Sequence, residues 1–195
     1  MDVERISFIL ASASQRRRKL LAEAGFRFDV IPSGLDEGSI SAEGLSPDEY
    51  AQKAALAKAE EVADRFPHRL VIGADTVVDF QGRIIGKPKD DDDAERITRM
   101  LFSKSHRVIT GVAILRKNDS LQIINSDSTT IYPRKISEQQ LEQHIKSGSW
   151  RDKAGAYAIK ENGDALIERI DGSLTNVMGL PMELLEQMLG KVDSR

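Results

Sequence analysis

The run Leu70–Phe80, LVIGADTVVDF, narrows the fold more than any other segment. It is apolar and β-branched, it ends at a Gln81-Gly82 turn, and it sets the acid Asp75 among side chains that belong in a core. That pattern predicts a buried strand. A carboxylate is costly to bury without a partner. Asp75 must therefore stand at a strand end, bind a cation or act as a base; an acid capping a turn at a strand break explains it as well.

Around that strand the chain alternates. Ile6–Ala11 and Phe26–Ile31 read as strands, with a helix over Ser14–Ala24 between them. Ser46, Pro47 and Glu49 combine an N-cap, a first-turn proline and a capping-box acid, which starts a helix running to about Asp64. Asp90–Phe102 predicts a helix whose acidic start suits the positive end of the helix dipole. Strands follow over Arg107–Leu115 and Leu121–Tyr132, joined by a turn at Lys117-Asn118-Asp119. Ser137 and Gln140 form a second capping box for a helix to about Lys146. Short strands at Ala156–Ile159 and Ala165–Ile170 and a helix over Met182–Leu189 complete the chain. Strand runs without helices between them exclude a purely parallel sheet. The expected class is α/β: one domain over residues 1–195, an elongated twisted mixed sheet flanked by helices, with two lobes around a cleft.

A chain of 195 residues can bury a core without staples. It has no cysteine, which removes disulfides, thiolate catalysis and Cys-ligated metals, and its three scattered His do not make a metal centre. The net charge of −3 gives no basic field for nucleic acid. No apolar run is long enough to cross a membrane, and the start MDVERISFILAS lacks a basic signal region. A cytoplasmic protein is the expectation.

Four segments could carry chemistry. Ser12-Ala13-Ser14-Gln15-Arg16-Arg17-Arg18 joins a strand to a helix. Such a junction offers unpaired N–H groups, and guanidiniums bind phosphate through paired hydrogen bonds; a solvated basic first turn is the plainer reading. Asp75 is the second candidate, with Glu37, after the Ser33-Gly34 turn, as a companion carboxylate or simply a loop acid. Gly86-Lys87-Pro88 is the third. It is not a P-loop, because Gly82 and Gly86 are wrongly spaced and Pro88 replaces Ser or Thr, but Lys87 can still reach phosphate from a loop. The fourth is Asp152-Lys153-Ala154-Gly155-Ala156-Tyr157, a positive charge beside small residues or else a tight turn into a strand. Lys58 within the first long helix reads in isolation as a solvated lysine, and Asp90–Asp93 lacks the spacing of a calcium loop.

In order, these segments resemble the Maf family of nucleotide pyrophosphatases over nearly the whole chain. The matching residues are Leu10-Ala11-Ser12-Ala13-Ser14-Gln15-Arg16-Arg17 with Leu20-Leu21, Asp36-Glu37, Ala57-Lys58-Ala59, Gly73-Ala74-Asp75-Thr76-Val77-Val78 and Gly86-Lys87-Pro88. Val108-Ile109-Thr110-Gly111-Val112, Asp152–Tyr157 and Asn176-Val177-Met178-Gly179-Leu180-Pro181 continue the match. The resemblance implies a fold like that of inosine triphosphate pyrophosphatases, often as a homodimer, and hydrolysis of a nucleoside triphosphate to monophosphate and pyrophosphate with Mg²⁺ or Mn²⁺. It implies Asp75 as proton acceptor, with Ser12, Arg16, Arg17, Glu37, Lys58, Lys87 and Lys153 lining the site. Within that set the expected roles are catalysis for Lys58 and Lys87, substrate binding for Ser12, Arg16, Arg17 and Lys153, and metal binding for Glu37 with Asp75. Base choice is implied at Arg16, Thr76 and Lys160.

Ala74-Asp75-Thr76 resembles the dTTP/UTP group, whereas Ser-Asp-Gln there would resemble 7-methyl-GTP pyrophosphatases. Two residues depart from the group. Gln15 replaces a Pro, and Lys160 stands in place of a Gln; Lys only donates, whereas Gln also accepts. A modified-nucleotide pyrophosphatase is the alternative enzyme. A non-enzymatic regulator of septum formation, a role attached to the family, is the alternative class and would need a partner surface that no unbroken apolar stretch supplies.

Overall fold

In the computed structural model, residues 7–151, 153–157 and 166–192 are described, Glu37 by its backbone alone. The strand predicted over Leu70–Phe80 is β3, with those bounds, and it organises the molecule. Its first residues pair in parallel with β1 (Ser7–Leu10), which pairs in parallel with β2 (Arg27–Val30). Along its opposite edge β3 pairs antiparallel with β5 (His106–Arg116). Antiparallel β6 (Leu121–Pro133) and β7 (Ile167–Asp171) extend the sheet. Strand order is β2-β1-β3-β5-β6-β7, a mixed sheet, as expected.

The short β4 (Arg83–Ile85) is an addition to the sequence reading. Gln81 and Gly82 both take positive φ, which makes a tight hairpin and folds β4 back on Val78–Phe80. The edge of β3 that meets β1 at Leu70–Ile72 and β4 at Val78–Phe80 therefore carries no paired strand, among the described residues, from Gly73 to Val77. The cleft opens there.

Helices cover both faces. Helix α1 (Gln15–Glu23) is capped by Ser14, and α2 (Pro47–Arg65) begins with the predicted Ser46–Glu49 capping box. Helix α3 (Asp91–Leu101) is capped by Asp90, and α4 (Glu138–Lys146) carries the Ser137–Gln140 box. A four-residue α5 (Leu174–Val177), not expected from periodicity, precedes α6 (Met182–Gly190). One core sets Ile72, Ala74, Val112 and Ile114 against Leu21 of α1 and Leu185 and Met188 of α6. On the opposite face, Val71, Ala113 and Leu115 meet Ala55, Ala59 and Val62 of α2. A third cluster joins Val78, Val108 and Ile131 to α3 and Trp150.

Helix α2 lies unusually close to the sheet. A Cβ on Gly73 would stand 2.2 Å from the Ala55 carbonyl oxygen, and one on Gly111 would stand 2.2 Å from that of Ala51. Alanines on the helix and glycines on the strands remove the bulk that would hold the two apart.

The strand expected over Ala156–Ile159 is not present as predicted. Ala154–Ala156 is a 3-10 turn in which Gly155 and Ala156 have φ of 75° and 61°, which no strand tolerates; residues 158 and 159 lie outside the described residues. The strand expected over Ala165–Ile170 is β7, with residue 165 outside them. No helix among the described residues is long and apolar enough to cross a membrane.

Candidate active site

Side chains alternate across β3. Asp75 shares the α2 face with Val71 and Val77, and Thr76 points to the opposite face with Ile72 and Ala74. Both are only partly buried in a strand otherwise mostly buried, because they stand at the open edge. The two residues are therefore served by different sets of neighbours.

On the α2 face, the Lys58 ammonium donates to Asp75 Oδ1 at 2.6 Å. The pair is largely enclosed, with side-chain exposures of 9% and 14%. Lys58 is buried, not solvated as its helix position alone suggested. Its reach depends on the glycine-permitted approach of α2. An enclosed ammonium and carboxylate must pair to be tolerated, so each fixes the other's orientation.

On the Thr76 face, Arg17 is buried and turned inward. Its Nε donates to the Gly179 carbonyl at 2.7 Å, Nη1 to Ser12 Oγ at 3.0 Å and Nη2 to Thr76 Oγ1 at 3.1 Å. Thr76 Oγ1 also lies 2.9 Å from Thr110 Oγ1, whose hydroxyl donates to the Asn176 carbonyl at 3.0 Å. Asn176 is fully buried and anchors the chain of bonds by donating from Nδ2 to the Val108 carbonyl and Thr129 Oγ1. Thr110 and Asn176 stood in matched segments without an assigned role. Their link to Thr76 comes from strand register and a distant loop, which sequence spacing does not encode.

The strand–helix junction is shaped by its hydroxyls. The Ser14 N–H donates to Ser12 Oγ at 3.3 Å, and the Arg17 N–H to Ser14 Oγ at 3.4 Å. Arg16, one residue along, is exposed towards the cleft, and desolvation by the surrounding wall lowers its pKa from the ordinary guanidinium value.

The same cleft, of about 1200 Å³, is also lined by Lys87, just after β4, and by Lys153. The two basic segments are tied by the Gly155 N–H donating to the Gly86 carbonyl at 3.1 Å. The Lys153 ammonium lies on the Ser149 and Arg151 carbonyls. Arg151, absent from the sequence reading, lines the same space. Tyr50, Ile84 and Leu35 add an apolar wall beside the charged one.

Asp75, Lys58, Thr76, Ser12 and Arg17 thus share one cleft with Arg16, Lys87 and Lys153. Two expected residues cannot be placed in it. The Glu37 side chain and Lys160 lie outside the described residues. Among the described residues no group of three His, Asp or Glu side chains forms a metal cage. A cleft lined by one largely enclosed carboxylate and several cationic groups suits a flexible polyanion.

The fold is shared with the Ham1 protein of Staphylococcus aureus, at a TM-score of 0.53 and 13% identity, over 95% of this chain and 98% of that one. The Maf-like protein profile matches residues 7–192. The dTTP/UTP pyrophosphatase of Elusimicrobium minutum is 44% identical over 94% of this chain and 97% of its own length. That of Geotalea uraniireducens is 42% identical over 90% of each chain. The chain belongs to the Maf family.

Proposed function

We propose that this protein hydrolyses nucleoside triphosphates, dTTP and UTP foremost, to the monophosphate and pyrophosphate. The observation that carries the reading is the Lys58–Asp75 pair at the unpaired edge of β3, lining one cleft together with Arg16, Lys87 and Lys153. The dTTP/UTP activity named for relatives more than 40% identical supports the base assignment.

A nucleoside triphosphate carries about four negative charges, and catalysis of phosphoryl transfer rests on positioning and charge stabilisation. Arg16, Lys87 and Lys153 engage the phosphate oxygens, and Lys153 leaves the Ser149 and Arg151 carbonyls to do so. The backbone N–H groups at the start of α1, set by Ser12 and Ser14, meet the same tail. Lys58 holds the Asp75 carboxylate so that it accepts a proton from the water attacking the α-phosphorus. Arg17 holds Ser12, Thr76 and Gly179 in register and acts on the substrate through them.

A divalent metal belongs to this reading. Mg²⁺ keeps several waters and needs only one or two carboxylates alongside substrate phosphates, so Asp75, a largely enclosed carboxylate that still opens on the cleft, fits it. Asp75 would hold it, with Glu37 assigned beside it by family resemblance. When bound, Mg²⁺ or Mn²⁺ neutralises charge on the departing pyrophosphate. A homodimer in the cytoplasm, without nucleic acid or membrane partners, completes the proposal.

The test is pyrophosphate release from a panel of standard and modified nucleoside triphosphates, with and without Mg²⁺, with Lys160→Gln run beside the wild type. Release is expected from dTTP and UTP and to stop with EDTA. A purine-only profile overturns the base assignment, and release in EDTA removes the metal.

A further inference from the structure

His106 stands at the start of β5, 3% exposed, and has no assigned part in the reaction. Its Nδ1 lies 3.2 Å from the Leu101 carbonyl oxygen. A carbonyl only accepts, so Nδ1 carries the hydrogen and Nε2 is left as an acceptor. Tyr157 Oη lies 2.6 Å from Nε2 and donates to it. The Tyr157 ring, itself buried, stands edge-on to both Phe102 and His106.

Tyr157 ends the turn that begins at Lys153, and that turn is strained. Ala156 takes a left-handed φ of 61°, a conformation costly for any residue with a Cβ. Gly155, with φ of 75°, has no room for a side chain, because a Cβ would stand 2.9 Å from Val78 Cγ2. Three bonds hold the turn in place: Tyr157 Oη to His106, His144 Nε2 donating to the Ala156 carbonyl at 2.7 Å, and the Gly155 N–H to Gly86. The last bond joins the turn to the residue before Lys87.

We propose that His106 is a positioning residue for the active site: through the Tyr157 hydroxyl it holds the strained Lys153–Tyr157 turn against Gly86, so that Lys153 and Lys87 face the phosphate tail together. The proposal rests on the pyrophosphatase reading above. A lost hydroxyl bond frees the turn, loosens the tie between the Lys153 segment and Gly86 and weakens the grip on phosphate, while the Lys58–Asp75 pair stays where α2 and β3 put it.

The experiment compares wild type with Tyr157→Phe, His106→Leu, their double variant and His106→Gln. It measures KM and kcat for dTTP, the Kd for inorganic tripolyphosphate by calorimetry, and Tm. Losing one buried hydrogen bond predicts a rise of about tenfold in KM and in the tripolyphosphate Kd for each single variant, with a smaller fall in kcat. The double variant is expected to be no worse than either single one, because both remove the same bond. His106→Gln keeps one acceptor and one donor and should recover most of the loss.

A lowered Tm with wild-type KM and Kd in Tyr157→Phe overturns the proposal, since a merely structural bond does just that. Should His106→Leu fail to fold, Tyr157→Phe and His106→Gln decide the matter alone. A wild type that binds tripolyphosphate yet releases no pyrophosphate from any nucleotide overturns the enzymatic reading and leaves this proposal to the Kd values. A wild type that does neither overturns both.

Discussion

Arg17 directs its guanidinium at the protein itself. Three of its nitrogens reach Ser12, Thr76 and Gly179, which belong to the first loop, the central strand and the last loop. A lysine keeps the charge, but its three N–H groups radiate from one atom and cannot match a planar fork of three separate nitrogens. Arg17→Lys should therefore lower kcat/KM by about 10–100-fold, at 1.5–3 kcal/mol for a charged hydrogen-bond set, and steady-state kinetics would show it; an unaltered kcat/KM refutes the bridge. Asp75 is a sharper case. Asp75→Asn keeps the shape and loses the proposed proton acceptor, so turnover should vanish while calorimetric nucleotide binding persists; near-normal turnover removes Asp75 from its role. His106 adds a pH signature. Burial lowers its pKa below the ordinary 6.5, against the raising effect of its bonds to the Lys104 and Leu101 carbonyls. The unfolded chain therefore takes up the proton first as pH falls. The stability that neutral His106 contributes is complete above pH 6.5 and is lost progressively below it, down through the folded pKa. Denaturant midpoints measured on either side of pH 6.5 should fall on the acid side, and His106→Gln should flatten that slope; a variant with the wild-type slope refutes the assignment.

Among the elements, α2 and β3 make the site because they touch so closely. Apart from Lys58 and Val62, the side chains of α2 that pack on the sheet are alanines, which bury little area each, so the contact rests on approach distance more than on bulk. Gly111→Ala would press a methyl onto the Ala51 carbonyl and push the helix outward. Overpacking of this kind costs about 1–3 kcal/mol. The larger consequence is expected at the Lys58–Asp75 pair, with kcat falling more steeply than the Tm shift alone implies; wild-type kcat in a folded variant refutes the link. Elements with local instructions were legible beforehand. Ser46 with Glu49 and Ser137 with Gln140 start helices through bonds three residues apart, and β3 declared itself by composition. Elements imposed by tertiary context were not. Helix α5 has four residues and β4 three, too short for periodicity to register. The turn at Ala154–Ala156 misled because Ala156 has no intrinsic preference for positive φ, and bonds from His106 and His144 hold its neighbourhood there.

Across the whole molecule, the cleft gathers side chains from the β1–α1 loop, α2, β3, the segment after β4 and the turn after α4. No spacing rule brings Ser12, Lys58, Asp75 and Lys153 together. Composition and local pattern supplied the cationic segments and the strained-looking acid, and family resemblance supplied their convergence. A site of this kind couples ligand binding to the whole fold, because the binding-competent arrangement exists only when the sheet, α2 and the last loop are all in place. A ligand that binds the native state alone stabilises it by about 2.7 kcal/mol at 100 times its Kd. With about 2–4 °C per kcal/mol for a chain of this size, that becomes a rise in Tm of about 5–10 °C. An α,β-imido analogue of dUTP with Mg²⁺ should produce that rise in a thermal melt of the wild type and a much smaller one in Lys87→Ala, whereas Lys117→Ala, which removes a surface lysine paired to Asp64, should retain it. Equal shifts in all three proteins would place the nucleotide elsewhere and dissolve the connection between this cleft and the triphosphate.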